Sequence, residues 1–549
     1  MDIRGFRILR NVMALVLIAV FLAGLFLPVY TDEVGWRFQE RAGIDGVDKL
    51  YSDGCGINTL AAPPFFMMPI RYYSAFFNTT FADPLYVRLS GIGYALCALV
   101  LLLLLIRRIA DNGHDRAILG TVAMGLLSLG VMPLLMVWSR PEQPIFIAIL
   151  SALLIAWSDW RDRSVATPAR KAWMRSIGIL LMATVAVSYH LKGIFLLPLF
   201  LACIFLASRG KAAFAPRLVV SGLLIAMTLW GAHYWSARLQ CPDDPILWKL
   251  YASHTLTTQF MRQGDLSELP AFILALLRNA DPSSYIDMAV PINKPMSFWL
   301  EYYQLDTRAF AAWVLSIRFL WGSATILAII CALLSVRTAF RERKLDPRVL
   351  IALVLACVVL GWSANQLIRN VYETMYVLPL AMLAIMFGFS AWKGNPRLLP
   401  FVRGYIALLA ICGIGSCIGL AATYAPSLIR ANSQQGYIAA QPYSQTVFGY
   451  STIKTRILAA ARQCGIPASE KARAVMIDDV TYFTFMRSSL PQHYLGIVAN
   501  WKGSIKDPVA YLRSRGSSGA ILGCRYLPED LRRRAKRDGA ICCLGPANW

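Results

Sequence analysis

Long apolar runs recur along the chain and are separated by short polar stretches. Eleven runs approach the length of a bilayer crossing: residues 8–29, 88–106, 117–137, 143–157, 175–189, 191–207, 217–235, 312–336, 348–364, 375–391 and 402–424. Each predicts a helix, and the run at 143–157 is short for a full span. After residue 424 the pattern changes. Brief apolar runs (AVMID, AILGC) alternate with helix-like stretches (TRILAAARQCG, DPVAYLRSRG, EDLRRRAKRDG), which predicts a small α/β domain. The expected fold is therefore an α-helical polytopic membrane bundle, residues 1–424, followed by a domain at 425–549. Two long loops, 30–87 and 236–311, leave the bundle on the same side as that domain.

Composition supports the pattern. Hydrophobic residues make up 57% of the 549 positions and charged residues 15%, with a net charge of +23. This balance excludes a disordered chain and an ordinary soluble enzyme. Lys and Arg set the orientation. With the N-terminus inside, the inner segments hold twenty-two of them, whereas the three short outer turns hold one each: Arg140, Lys192 and Arg369. The excess positive charge reads as cytoplasmic loops, and no nucleic-acid-binding motif is present. The first apolar segment ends LFLPVYTDE, without a small-x-small cleavage site, and reads as a retained helix. Cysteine agrees with the map. Six of the twelve fall in spans, and Cys55, Cys241, Cys464, Cys524, Cys542 and Cys543 fall in the outer segments. An oxidising compartment predicts a Cys55–Cys241 bridge between the loops and at least one bridge within the tail, its pairing open.

Candidate chemistry gathers where the spans meet the outer face. The first span ends in Thr31-Asp32-Glu33, which puts two carboxylates at the head of a long loop. The third ends in Ser139-Arg140-Pro141-Glu142, the fifth in Tyr189-His190-Leu191-Lys192, and the ninth in Arg369-Asn370-Val371-Tyr372-Glu373. Taken singly, each reads equally well as a solvated helix end. Brought together, the three cations would form a cup suited to a phosphate at the membrane surface, beside a carboxylate suited to a general base. In the tail, Ile477-Asp478-Asp479-Val480-Thr481 puts two acids at the end of a strand. It reads first as a helix cap made by Asp479 or Thr481 and second as a binding site. The run Arg532-Arg533-Arg534-Ala535-Lys536-Arg537 reads as a solvated helix face.

These residues resemble the integral-membrane GT-C glycosyltransferases. Thr31-Asp32-Glu33 is similar to the acidic motif that opens the first outer loop of that family, and Ser139-Arg140-Pro141-Glu142 to an Arg-Pro-Glu turn of its bacterial members. In layout the protein O-mannosyltransferases and the lipid A aminoarabinose transferases are nearest. The resemblance implies an inverting transfer of a sugar from a polyprenyl-phosphate donor to a glycan, glycolipid or protein acceptor, at the periplasmic face of a bacterial inner membrane. It implies Asp32 as general base, Glu33 as its assistant or a hold on the acceptor, and Arg140 on the donor phosphate or sugar. Glu142, His190, Lys192, Arg369 and Tyr372 are assigned to the donor by their place in the turns alone. No cofactor is expected to be required; a divalent cation, if one binds, takes Asp32 and Glu33. The tail does not read as the long all-β module of the mycobacterial arabinosyltransferases. Two other readings stand beside this one. One is an O-antigen ligase or polymerase, which expects an Arg-rich central outer loop. The other is a flippase of lipid-linked sugars, which expects charges at mid-membrane.

Overall fold

In the computed structural model, the described residues are 3–29, 33, 83–158, 166–239, 255–263, 266–290, 307–342, 346–369, 371–391, 399–433, 445–466, 475–485, 493–494, 510, 513 and 517–549. Most of the two outer loops, including Asp32, Cys55 and Cys241, lies outside them.

The bundle is built from α1 (Ile3–Ala23), α2 (Pro84–Ile109), α3 (Gly113–Leu127), α4 (Glu142–Ala156), α5 (Ala169–Tyr189), α6 (Leu197–Leu206), α7 (Phe214–Leu239), α8 (Leu256–Gln263), α9 (Leu269–Asn279), α10 (Ser283–Met288), α11 (Thr307–Glu342), α12 (Pro347–Asn365), α13 (Thr374–Ala391) and α14 (Leu399–Ser433). Starts are encoded locally. Asp83 and Asp346 each precede a proline and accept the backbone N–H two residues on, from Leu85 and Arg348, both at 2.9 Å. Asn112 caps α3 through the N–H groups of His114 and Asp115.

Eight of the eleven expected spans are helices long and apolar enough to cross a membrane: α1, α2, α5, α7, α11, α12, α13 and α14. The other three are shorter or interrupted, as the length of the run at 143–157 predicts for that one. The run at 117–137 stops as a helix at Leu127 and continues as turns with one helical turn at Met132–Leu135. The run at 143–157 is the 15-residue α4, about 22 Å long against a hydrocarbon core of about 30 Å. The run at 191–207 opens as a 3-10 helix, Leu191–Leu196, before α6. All three pack among the long helices, with Trp138, Ile149, Phe200 and Ile204 in one buried core. Their polar backbone is tolerated because protein covers it. Reversals of direction put the starts of α2, α4 and α13 at the same end of the bundle as the finishes of α1, α3, α5 and α12.

The chain after α14 forms an α/β sandwich. A five-stranded sheet has the order β2-β1-β3-β5-β4, with β1 (Met476–Ile477), β2 (His493–Tyr494), β3 (Ala520–Gly523), β4 (Lys536–Asp538) and β5 (Ile541–Leu544). β1 is parallel to β2 and β3, and β5 is antiparallel to β3 and β4. α15 (Tyr450–Gln463) buries Ile453, Ile457, Ala460 and Ala461, one stripe at helical spacing. The opposite sheet face, Met476, Leu522, Cys542 and Leu544, is covered by Leu527 and by Leu531 of α17 (Glu529–Arg534). Successive residues of a strand face opposite ways, so adjacent Cys542 and Cys543 bond to different partners. Cys543 bonds Cys464 at the end of α15, and Cys542 bonds Cys524 after β3. Both tail bridges therefore form, one on each face.

Asp478, not Asp479 or Thr481, is the cap between β1 and α16 (Asp479–Phe485). Its carboxylate is fully buried and accepts from the N–H groups of Val480, Thr481 and Gly523 (3.1, 3.0 and 2.7 Å) and from the Thr481 hydroxyl. Arg533 and Arg534 pair one helical turn back with Glu529 and Asp530 on an exposed surface. The domain meets the bundle at the end of α1. The Val29 N–H donates to the Gln445 carbonyl at 2.8 Å, and Phe26 stacks on Phe448.

Candidate functional site

The polar residues that end the helices do not point to solvent. Glu142 and Lys192 are each 1% exposed, Glu373 5% and Arg140 8%. The cause is the shortness of the elements that carry them. The turn after α3, the start of α4 and the 3-10 turn before α6 all lie within the bundle's packing, so their polar groups sink inward together.

Glu142, the first residue of α4, takes the Lys192 ammonium on one oxygen and Arg140 Nε on the other, the latter at 3.2 Å. Lys192 also pairs with Glu373 at 3.1 Å. Glu373 in turn accepts Trp362 Nε1–H from α12 at 3.0 Å. Three rings surround the ammonium: Tyr372, Trp362 and Tyr376, at 5.3, 5.5 and 5.9 Å from ring centre to Nζ. Tyr372 also lies under the Arg140 guanidinium, 4.1 Å away. Tyr376 donates its hydroxyl to the Lys192 carbonyl at 3.2 Å, which fixes the turn. The result is an alternation of charges, Arg140–Glu142–Lys192–Glu373, rather than the cup of cations that the turns suggested. Burying such a chain is tolerable only when every member is paired; removal of one partner from a buried pair typically costs about 3–5 kcal/mol.

His190 plays a supporting part. Its Nδ1 accepts the Lys192 N–H at 3.1 Å and so caps the 3-10 turn. Desolvation and the neighbouring Lys192 ammonium push its pKa down to about 3, so the ring stays neutral at ordinary pH. Arg369 is placed apart from Arg140 and Lys192. It donates to the Ser284 hydroxyl and to the Asn279 carbonyl (2.8 Å), and it lies 5.8 Å from the Tyr285 ring. The described piece of the second outer loop thus docks on the end of α12 through this arginine. Asn279 Nδ2 donates in the same place to the carbonyls of Ala364 and Gln366, at 2.9 and 2.6 Å.

Glu33 is fully buried and tied to Arg88 of α2, which is also fully buried. Its other oxygen accepts the Ser139 N–H at 2.7 Å. Arg88 further donates to the carbonyls of Leu27, Pro28 and Val137 (3.1, 2.8 and 3.3 Å). Gly91 lets α2 approach this turn closely, because a Cβ there would run into the Val137 carbonyl. One guanidinium therefore binds the end of α1, the head of the first loop and the turn bearing Arg140. Sequence reading passed over Arg88, Trp362 and Tyr376 altogether. Glu373 stood in a turn already singled out, but nothing local paired it with Lys192. An arginine next to an otherwise apolar run was the one available sign of Arg88.

Among the described residues there is no group of three or more His, Cys, Asp or Glu able to hold a metal ion. Glu33 does not suit a divalent cation as arranged, since Arg88 and the Ser139 N–H occupy its two oxygens.

Fold and site together define a polytopic membrane protein with a buried, internally paired charge network at one end of its bundle. No family model and no curated protein matches the chain. Among solved structures, the chain is similar to the archaeal oligosaccharyltransferase AglB from Archaeoglobus fulgidus, in complex with an inhibitory peptide and a dolichol-phosphate. The identity is 12% and the TM-score 0.45, over 95% of this chain and 69% of that one. It is also similar to ArnT from Cupriavidus metallidurans bound to undecaprenyl phosphate, at 13% identity and a TM-score of 0.44, over 99% of this chain and 98% of that one. These likenesses concern the fold, and no residue role is taken from them.

Proposed function

We propose that the chain is an inverting glycosyltransferase that moves a sugar from a polyprenyl-phosphate donor to a glycan, glycolipid or protein acceptor at the outer, periplasmic face of a bacterial inner membrane. The N-terminus is inside and the domain after α14 outside. The observation that carries this reading is the Arg140–Glu142–Lys192–Glu373 network, held next to the acidic loop head by Glu33 and Arg88. Charged groups buried where helices stop short are costly and mark function more often than stability.

In this reading Asp32, next in sequence to the anchored Glu33, is the general base. The acceptor hydroxyl gives its proton to the Asp32 carboxylate as its oxygen bonds the sugar's anomeric carbon. The bond from that carbon to the phosphate oxygen breaks on the opposite side, and the configuration inverts. The lipid phosphate leaves with the electron pair and is stabilised by Arg140, which Tyr372 and Glu142 hold in one orientation. Lys192 and Glu373 set the network's geometry, and His190 sets the turn. Glu33 acts through position, not by taking a proton. Arg369 holds the described piece of the second loop against the end of α12. A metal has no step here.

The flippase reading draws on one observation, the burial of Lys192, Glu142 and Glu373 among helices. A carrier needs such groups along a path through the bundle, whereas these gather at one end.

The test is a transfer assay with purified protein, radiolabelled polyprenyl-phosphate sugars and membrane extract as acceptor. Wild type is expected to move label from one donor, and Asp32→Asn to lose at least about 100-fold of that rate with unchanged folding, the usual share of a general base. Retained turnover in Asp32→Asn removes that residue from the role. Absence of transfer from every donor, together with movement of the intact lipid-linked sugar across a reconstituted bilayer, turns the assignment to a flippase.

A further inference from the structure

The other end of the bundle carries a charged feature that the proposed reaction does not use. Arg10 of α1, Arg107 of α2 and Arg116 of α3 line one groove with a volume of about 320 Å³, and Val100, Leu103 and Leu104 supply its apolar wall. The volume is at the lower end of the range for small-molecule sites.

Packing holds these cations together. The Arg10 side chain lies across α3 at Gly120, where a Cβ would come within 2.5 Å of Arg10 Cδ and 3.0 Å of Cγ. Any larger residue at 120 would push Arg10 away. Instead its guanidinium is kept among the charges of Arg7 and Arg116. The hydrogen bonds of Arg10 go to a neutral acceptor, Asn11 Oδ1, at 2.8 and 3.2 Å. Arg116 Nε is buried without a hydrogen-bond partner. Asp111 and Asp346 pair with Arg348 at 3.0 and 2.8 Å, and Asp115, the residue before Arg116, has His114 and Arg348 as its attractive charges. Among the described residues no ion pair involves Arg10, Arg107 or Arg116. Like charges held at such range repel unless an anion joins them.

The apolar wall indicates what kind of anion. Val100, Leu103 or Leu104, and Arg107 are spaced three or four residues apart on α2, so they form one face. Val100 and Leu104 are 56% and 44% exposed and lie about 10 and 5 Å further into the bundle than Arg107. Cations at the rim with an apolar track running inward match a charged head and its chain.

We propose that this groove binds a phosphate-headed anionic lipid from the leaflet at the opposite end of the bundle from Glu142 and Lys192. The phosphate sits on Arg10, Arg107 and Arg116, and one acyl chain lies along Leu104 and Val100. Interhelical basic pockets bind such headgroups by charge-assisted hydrogen bonds.

The experiment is native mass spectrometry of the full-length protein in detergent, titrated separately with phosphatidylglycerol, phosphatidylcholine and inorganic phosphate. Phosphatidylglycerol is expected to be retained at least fivefold more than phosphatidylcholine. The double variant R10Q/R116Q should lose that preference. Val100→Trp, at an exposed position that leaves every cation in place, should weaken phosphatidylglycerol retention as well; with Arg107→Gln it decides the matter if the double variant does not fold. Equal retention of the two lipids by wild type overturns the proposal, as does undiminished preference in the variants. Displacement of phosphatidylglycerol by millimolar inorganic phosphate, with Val100→Trp behaving as wild type, shows a free-anion site and also overturns it.

Discussion

At one end of the bundle Arg140 and Lys192 are matched by Glu142 and Glu373; at the other, Arg10 and Arg116 lie near each other and, among the described residues, only an asparagine accepts the hydrogen bonds of Arg10. The first set sits in turns and the second on helices, and both are held by close packing. They differ in what completes them. The first network is buried and neutralises itself, as a group taken fully out of water must. The second is half-buried at an open groove and has left neutralisation to something outside the chain. The positive charge of the membrane segments, which orientation rules treat as one quantity, thus divides into a machine part and a docking part.

Substitutions put this contrast to the test. The largest effect is expected for Glu142→Gln, which takes from Arg140 and Lys192 the carboxylate they share. Thermal unfolding in detergent should report a loss of about 3–5 kcal/mol. A change below about 1 kcal/mol would mean that water reaches the network. Arg88→Met should come next, at about 3 kcal/mol or more, because it removes the buried cation paired with Glu33 and frees three carbonyls. It should also lower transfer while leaving donor binding largely intact, which separates loss of position from loss of the phosphate site.

A smaller effect is expected for His190. Its folded pKa of about 3 lies below the ordinary value of 6.5, so the unfolded chain binds a proton that the folded one does not between those values. Stability from this group is therefore full above about pH 6.5 and falls as the pH drops through 6.5 towards 3. His190→Asn, which can still accept the Lys192 N–H, should flatten the unfolding midpoint against pH in that window by at most one proton. The smallest effect is expected for Arg10→Gln in detergent without anionic lipid, within about 0.5 kcal/mol of wild type. A loss as large as that of Glu142→Gln would erase the distinction between the two ends.

The hydropathy pattern alone made the long helices legible. Where a run is apolar throughout, however, it does not reveal where the backbone stops being helical. Residues 128–137 are almost all apolar, yet the helix ends at Leu127. There Gly130 N–H turns to Ser416 Oγ at 2.8 Å and Val131 N–H to the Ala289 carbonyl at 2.8 Å, from distant parts of the chain. The Arg140–Glu142 pair could be read locally because a single residue, Pro141, separates them. The tail's cysteines predicted bridges by compartment and number, but the alternation of Cys542 and Cys543 across a strand, which sets the pairing, required the sheet.

Neighbouring residues were therefore enough for the local features of this protein. Runs of apolar side chains set the spans, Asp-Pro and Asn caps set helix starts, and Lys and Arg in short loops predict an orientation. They also marked the outer turns as the place to look for chemistry. Which of those turns share a site emerges only from the packed fold. Glu142 and Lys192, Lys192 and Glu373, and Glu33 and Arg88 are 50, 181 and 55 residues apart. A charge pattern carries no record of such partners, because the attraction between two ions is set by their distance in space, and that distance exists only once the helices have packed.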